Sequence, residues 1–175
     1  MSEGWMATKL KILVEPAEGP SVWLGGIGVD FKIPPDLTGG AFSIVEHPLE
    51  PGRLVPPHIH HREDELSYVL EGRIGVRIGD GEYVAGPGTY VWKPRDVPHT
   101  FWNAGPEPAR LLEIIWPAGF EQFFARLGEL AHSCPPDEFP QRRVELAREY
   151  DHHFVHPEWA DDLKARYGLK LLGEE

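Results

Sequence analysis

The strongest constraint in this chain is the run Gly52-Arg53-Leu54-Val55-Pro56-Pro57-His58-Ile59-His60-His61-Arg62-Glu63-Asp64-Glu65. Side chains two apart on a strand share a face, so His58 and His60 present two imidazoles side by side while Ile59 faces the other way. Glu65 opens the next strand across a short turn and reaches back toward the same point. A second stretch, Gly88 to Asn103, carries a Pro-rich turn that ends on His99, a lone histidine placed to complete the set from a distant part of the chain. Imidazole plus carboxylate suits one divalent transition metal ion, Fe, Mn, Co, Ni, Cu or Zn, and is too rich in nitrogen for Ca or Mg. Glu63 and Asp64 are rivals of Glu65 if the turn is tighter, and His61 points away from His60 toward solvent or an outer layer.

Four such groups converge only on a rigid frame, and the rest of the chain reads as one. From Thr8 to Leu112 short β-branched and aromatic segments alternate with Gly/Pro turns, the pattern of an all-β fold. Expected strands are Lys9 to Val14, Val22 to Phe31, Ala41 to His47, Leu66 to Glu71, Arg73 to Ile78, Glu82 to Ala85, Tyr90 to Lys93, Thr100 to Asn103 and Ala109 to Trp116. Asp80-Gly81 predicts a hairpin that pairs Arg73 to Ile78 with Glu82 to Ala85. After Pro117 the spacing turns helical: Phe120, Phe123, Phe124, Leu127 and Leu130 recur at intervals of three and four. Gln141 to Tyr150 and Pro157 to Tyr167 are two further expected helices, the last capped by Gly168.

The chain's 175 residues fit one domain: a barrel core over about 38–117, N-terminal strands over 8–33 and a helical segment over 118–172. A formal net charge of -11 argues against a nucleic-acid partner, since a phosphate backbone calls for a Lys/Arg surface. One cysteine, Cys134, forms no intrachain disulfide and reads as an inert thiol; no apolar run is long enough to span a bilayer. The N-terminus lacks the charged and apolar regions of a signal peptide, and a cytoplasmic location is the expectation.

The two stretches match a known pattern. Gly52, five residues, His58, one, His60, four, Glu65, six, Gly72 follows the first motif of the cupin superfamily, and Gly88, five residues, Pro94, then His99 and Asn103 follows the second. Asp96 departs, standing where that family usually places glycine, so the turn there is open to a different shape. The chain is thus similar to single-domain bacterial cupins, and the resemblance implies a cupin jelly-roll barrel with C-terminal helices, holding a metal on His58, His60, Glu65 and His99. More loosely, Thr38 to Glu46 and Pro117 to Phe124 resemble bacterial proteins similar to quercetin dioxygenases. That likeness implies a dioxygenase-like oxidoreductase acting on a small aromatic or enolic compound, with Glu65 both ligating and accepting the substrate hydroxyl proton. The alternatives are a non-catalytic metal-dependent binding protein and a metal-assisted isomerase or decarboxylase. Cupins often pair through their sheets, so a homodimer is expected, with the N-terminal strands free to complete a neighbour's sheet.

Among the aromatics, Phe42, Phe101 and Trp116 are the expected pocket residues, Phe101 because it lies two positions after His99 on one strand. Trp92 and Trp102 read as core or barrel lining. His152, His153 and His156 stand among Asp and Phe between two expected helices and read as surface histidines.

Overall fold

The computed structural model describes residues 13–174. A hairpin of β1 (Ser21–Trp23) and β2 (Gly28–Ile33) leads through one helical turn, α1 (Pro35–Thr38), into β3 (Ser43–Leu49). The barrel continues with β4 (Arg53–Leu54), β5 (His58–His60), β6 (Asp64–Glu71), β7 (Ile74–Ile78), β8 (Gly81–Ala85), β9 (Tyr90–Lys93), β10 (His99–Asn103) and β11 (Ala109–Trp116). The last third holds α2 (Glu121–Ser133), α3 (Phe139–Glu149), β12 (His152–Phe154), α4 (Trp159–Tyr167) and β13 (Lys170–Leu171).

Two sheets face each other as a sandwich. One runs β1-β2-β3-β11-β6-β9; the other runs β12-β5-β10-β4-β13, with β7 joined to β10 and β8 to β7. Alternation sorts the side chains: Val45, His47 and Leu49 of β3 point inward, as do Leu111, Glu113 and Ile115 of β11. Every residue of β10 is buried, because one face looks into the barrel and the other is covered by α4. There Trp102 packs with Leu54, Leu163 and Leu169. On the other side of the molecule Phe120 and Phe123, with Leu146 and Ala147 of α3, pack against Val29, Val45 and Ile115. The apolar stripe expected after Pro117 therefore closes the open side of the barrel.

Several expectations shift in detail. Val22 to Phe31 is two strands and not one, because Gly25 and Gly26 take positive φ and fold it back. Strand β2 then pairs with β3 of its own chain, which leaves β1 as the edge strand of this sheet. The expected strand Lys9 to Val14 lies for the most part outside the described residues, and Leu13 and Val14 carry no strand. The hairpin between β7 and β8 turns on Gly79-Asp80, with Ile78 opposite Gly81. Gly168 caps α4 in the left-handed region, as its position predicts.

One exposed cluster ties α4 to the barrel. Arg166 donates from Nη1 and Nη2 to Glu82 at 3.1 and 2.7 Å, and the Tyr167 hydroxyl donates to the same carboxylate at 2.7 Å. The Arg166 bonds pull Glu82 down to about 2, against the upward push of partial burial and with the help of Tyr167. A carboxyl depressed on folding adds stability above its ordinary range near 4.5, and that contribution disappears as pH falls toward 2. Glu82→Gln is therefore expected to melt a few degrees lower at pH 7 and to show a flatter acid limb than wild type between pH 4.5 and 2. Parallel acid limbs in the two melting series would contradict this account.

Candidate metal centre

Strand β5 carries His58 and His60 on its inward face, with Ile59 turned the other way. His99 opens β10 directly opposite His58 in the antiparallel register, and Glu65 points in from β6. All four side chains are buried, and their donor atoms lie within 4.8 Å of one another. Glu65 Oε1 is 3.5 Å from His60 Nε2, and Oε2 is 3.4 Å from His99 Nε2.

The surrounding carbonyls set the tautomers. His58 Nδ1 donates to the Pro56 carbonyl at 2.7 Å and His99 Nδ1 to the Val97 carbonyl at 3.0 Å. Each ring then aims a bare Nε2 at the centre, which is the arrangement a metal needs. Burial, and then the neighbouring histidines, hold His58 well below the ordinary imidazole value; burial also lowers His99, against the upward pull of the Glu65 carboxylate, and lowering favours the neutral ring that ligates. The Nε2 atoms of His60 and His99 are buried with no hydrogen-bond partner. Left alone such atoms are costly, and a divalent ion between them would satisfy both. The donor set fits the metal that the spacing predicts.

The rivals of Glu65 are otherwise engaged. Asp64 accepts from the Arg95 backbone N–H at 2.8 Å and from its guanidinium at 2.7 Å. Glu63 is buried, with Oε2 3.6 Å from His60 Nδ1, behind the ligand and not in front of it. His61 is exposed and pairs with Asp96 at 2.5 Å. Asp96 itself adopts φ of 63° and donates its backbone N–H to the His60 carbonyl at 2.8 Å. Aspartate tolerates that left-handed conformation better than most residues, so the turn keeps a shape suited to glycine without one.

Beneath the ligands lies a buried charge cluster that the motif spacing does not announce. Lys93 on β9 donates to Glu65 Oε2 at 3.0 Å and to Glu113 Oε2 at 2.7 Å, and the Ser67 hydroxyl bonds Glu113 at 3.1 Å. Burial works against each charge. It pushes Glu113 up to about 7 despite Lys93, whereas the two carboxylates outweigh it at Lys93 and raise that ammonium. On Glu65 burial presses upward, but Lys93 and the histidines prevail and hold it well below the usual carboxylate range. The inward parity of Glu113 between Leu111 and Ile115 is the signal that could have revealed it.

The centre opens into a cavity of about 390 Å³. Phe101 lines it. Two of the expected pocket residues do not. Phe42 precedes β3 and is 37% exposed, and Trp116 falls on the outward parity of β11, where its ring packs against Trp92 at 5.0 Å with the planes tilted by 38°. The apolar wall comes instead from Phe120, Phe123, Phe124 and Leu127 of the α2 region, with Phe139 and Phe154. His47 also lines the cavity. Its Nδ1 donates to the Gly28 carbonyl at 2.9 Å and burial lowers it to about 4, so its Nε2 is a fixed acceptor. Arg143 lines the helical wall and has no acidic partner among the described residues; burial lowers its value.

His152 is the largest departure from the sequence reading. Of the three histidines expected at the surface, His156 is exposed and His153 half-buried, but His152 is buried and lines the cavity. Strand β12 pairs with β5 and sets His152 opposite His60.

Residues 46–115 match a family model described as a cupin domain, and the fold around them is the cupin jelly roll with C-terminal helices. A curated relative, the polyketide synthase CurC of Streptomyces cyaneus, is 36% identical over 72 residues, which is 39% of this chain and 45% of the relative. The chain thus spans less than half of that relative. Among solved structures the polyketide cyclase RemF from Streptomyces resistomycificus is 25% identical with a TM-score of 0.54, over 62% of this chain and 81% of RemF. An RmlC-like cupin from Shewanella frigidimarina, at 19% identity and a TM-score of 0.53 over 65% and 96% of the two chains, shows the fold alone. Among the described residues no helix is long and apolar enough to cross a membrane.

Proposed function

We propose that this chain is a metal-dependent enzyme that deprotonates an oxygenated aromatic or enolic small molecule bound at the four-ligand centre. The observation that carries this reading is the division of the cavity. Its carboxylates and its lysine gather at the metal end, and phenylalanines form much of the rest. Such a cavity favours a flat, apolar molecule that presents one oxygenated edge. A bound divalent ion would supply Lewis-acid polarisation of that oxygen. Glu65 accepts the substrate proton, and Lys93, hydrogen-bonded to its Oε2, keeps the carboxylate ionised and oriented. The likeness to a polyketide synthase and a polyketide cyclase supports polyketide-like phenols and enols as the substrate class.

Loss of a proton from a hydroxyl or an enolisable carbon is a first step shared by cyclisation, isomerisation and dioxygenation. The second reading, a dioxygenase, is supported by the resemblance to quercetin dioxygenases over Thr38 to Glu46 and Pro117 to Phe124. A panel of flavonols, enediols and polyketide-like phenols offered to metal-loaded protein separates the two. Turnover under anaerobic conditions is the expected result, and turnover that requires and consumes oxygen establishes the dioxygenase. No turnover with any loaded metal, together with ligand-dependent melting, would make the chain a binding protein and overturn the enzyme.

A further inference from the structure

His152 is the cavity imidazole that the ligand set does not use and that no backbone carbonyl holds. It is 3% exposed and its Nδ1 is buried without a hydrogen-bond partner. The register places it beside His60, and cross-strand neighbours share a face. Its ring centroid lies 4.8 Å from that of His58 and 4.7 Å from that of His60. The three ligand histidines stand 4.4 to 5.5 Å from one another by the same measure. His152 is thus as near to two ligands as the ligands are to each other. Its nitrogens nevertheless fall outside the group of four donors that lie within 4.8 Å.

Around the rest of the ring stand Phe120, Phe123 and Phe154, at 5.0, 5.2 and 4.9 Å. A phenylalanine would fill this aromatic slot without leaving a buried nitrogen unpaired, whereas an unpaired nitrogen carries a full desolvation cost. His152 Nε2 has no hydrogen bond among the described residues and is not among the buried atoms, so it is the nitrogen open to a partner that arrives with the ligand.

We propose that His152 is a substrate contact: it hydrogen-bonds the oxygen that an oxygen-chelating aromatic or enol places at the metal. The inference rests on the proposed function for the metal and for the class of ligand. It adds a residue that lies outside the matched cupin segment, on the strand that follows α3.

Tropolone, a planar chelator with an enolic hydroxyl beside a carbonyl, serves as the probe. Wild type, His152→Phe and His152→Gln are loaded with divalent cobalt, assayed for metal content and melting temperature, and titrated anaerobically with tropolone while its absorption is followed. His152→Phe is expected to keep one metal per chain, to melt no lower than wild type and to bind tropolone about tenfold more weakly, with His152→Gln between the two. Equal tropolone affinity in all three loaded proteins overturns the role of His152 and leaves the metal centre standing. Loss of metal or a clearly lower melting temperature in His152→Phe also overturns it, making the residue a ligand or a packing element. Failure of wild type itself to take up cobalt overturns the proposed function, and this inference with it.

Discussion

His99→Ala will lose stoichiometric metal, with affinity lowered at least about a hundredfold, beyond the upper end of what removal of an outer-layer partner costs. His99 approaches from a different strand than His58 and His60, and its Nε2 is one of the buried atoms with no other partner. Without it the centre keeps two neighbouring imidazoles and a carboxylate that Lys93 already engages. Elemental analysis after dialysis against a defined free-metal buffer measures the loss directly. Thermal melting gives an independent reading. An ion present at a hundred times its Kd stabilises the folded chain by about 2.7 kcal/mol, which for this size is roughly 5 to 10 °C. A chelator should therefore lower the melting temperature of wild type and leave that of His99→Ala unchanged. If the two proteins respond alike to chelator, the four residues do not form a metal site.

Lys93→Met will destabilise the protein by about 3–5 kcal/mol, the usual cost of stranding a buried charge. Methionine nearly matches the volume of lysine, so the effect reports charge and not a void. Two buried carboxylates, Glu65 and Glu113, would face each other without the ammonium that bridges them. Adding Glu113→Gln removes the carboxyl that burial already pushes up to about 7 and keeps an acceptor for Ser67. The double variant should recover at least half of the loss, a coupling that a double-mutant cycle in urea reads out. Additive losses in that cycle, or a Lys93→Met that melts within a degree or two of wild type, would refute the network.

How much of this was legible beforehand depends on how local each determinant is. His58, His60, Glu65 and His99 follow from period-two alternation and motif spacing, and the structure brings those four together. The choice between Glu65 and its neighbours was open in the sequence because it depends on turn geometry. Arg95 settles it by claiming Asp64, while Glu63 lies behind His60. Trp116 was misplaced by one step of parity, since Ile115, not Trp116, faces inward. Phe42 was misplaced because it precedes the strand that would have oriented it. The Lys93 cluster is legible by parity, since Lys93 and Glu113 both fall on inward positions of β9 and β11. His152 is not: its position depends on a strand pairing with a segment about ninety residues earlier in the chain, and no local pattern records that register.

The division of the cavity has an evolutionary side. The ligands, Lys93, Glu113 and His47 all lie within residues 46–115, whereas the phenylalanine wall, Arg143 and His152 belong to the tail that follows. The candidate ligands and most of the phenylalanines of the cavity are thus written in separate stretches of the chain. A lineage could vary the tail and reshape the cavity, within the limit that β12 pairs with the ligand-bearing strand β5. For an engineer the same division marks where a library belongs: diversity at Phe124, Leu127 and Phe139 would sample new shapes of guest while the pairing of β12 with β5 is kept.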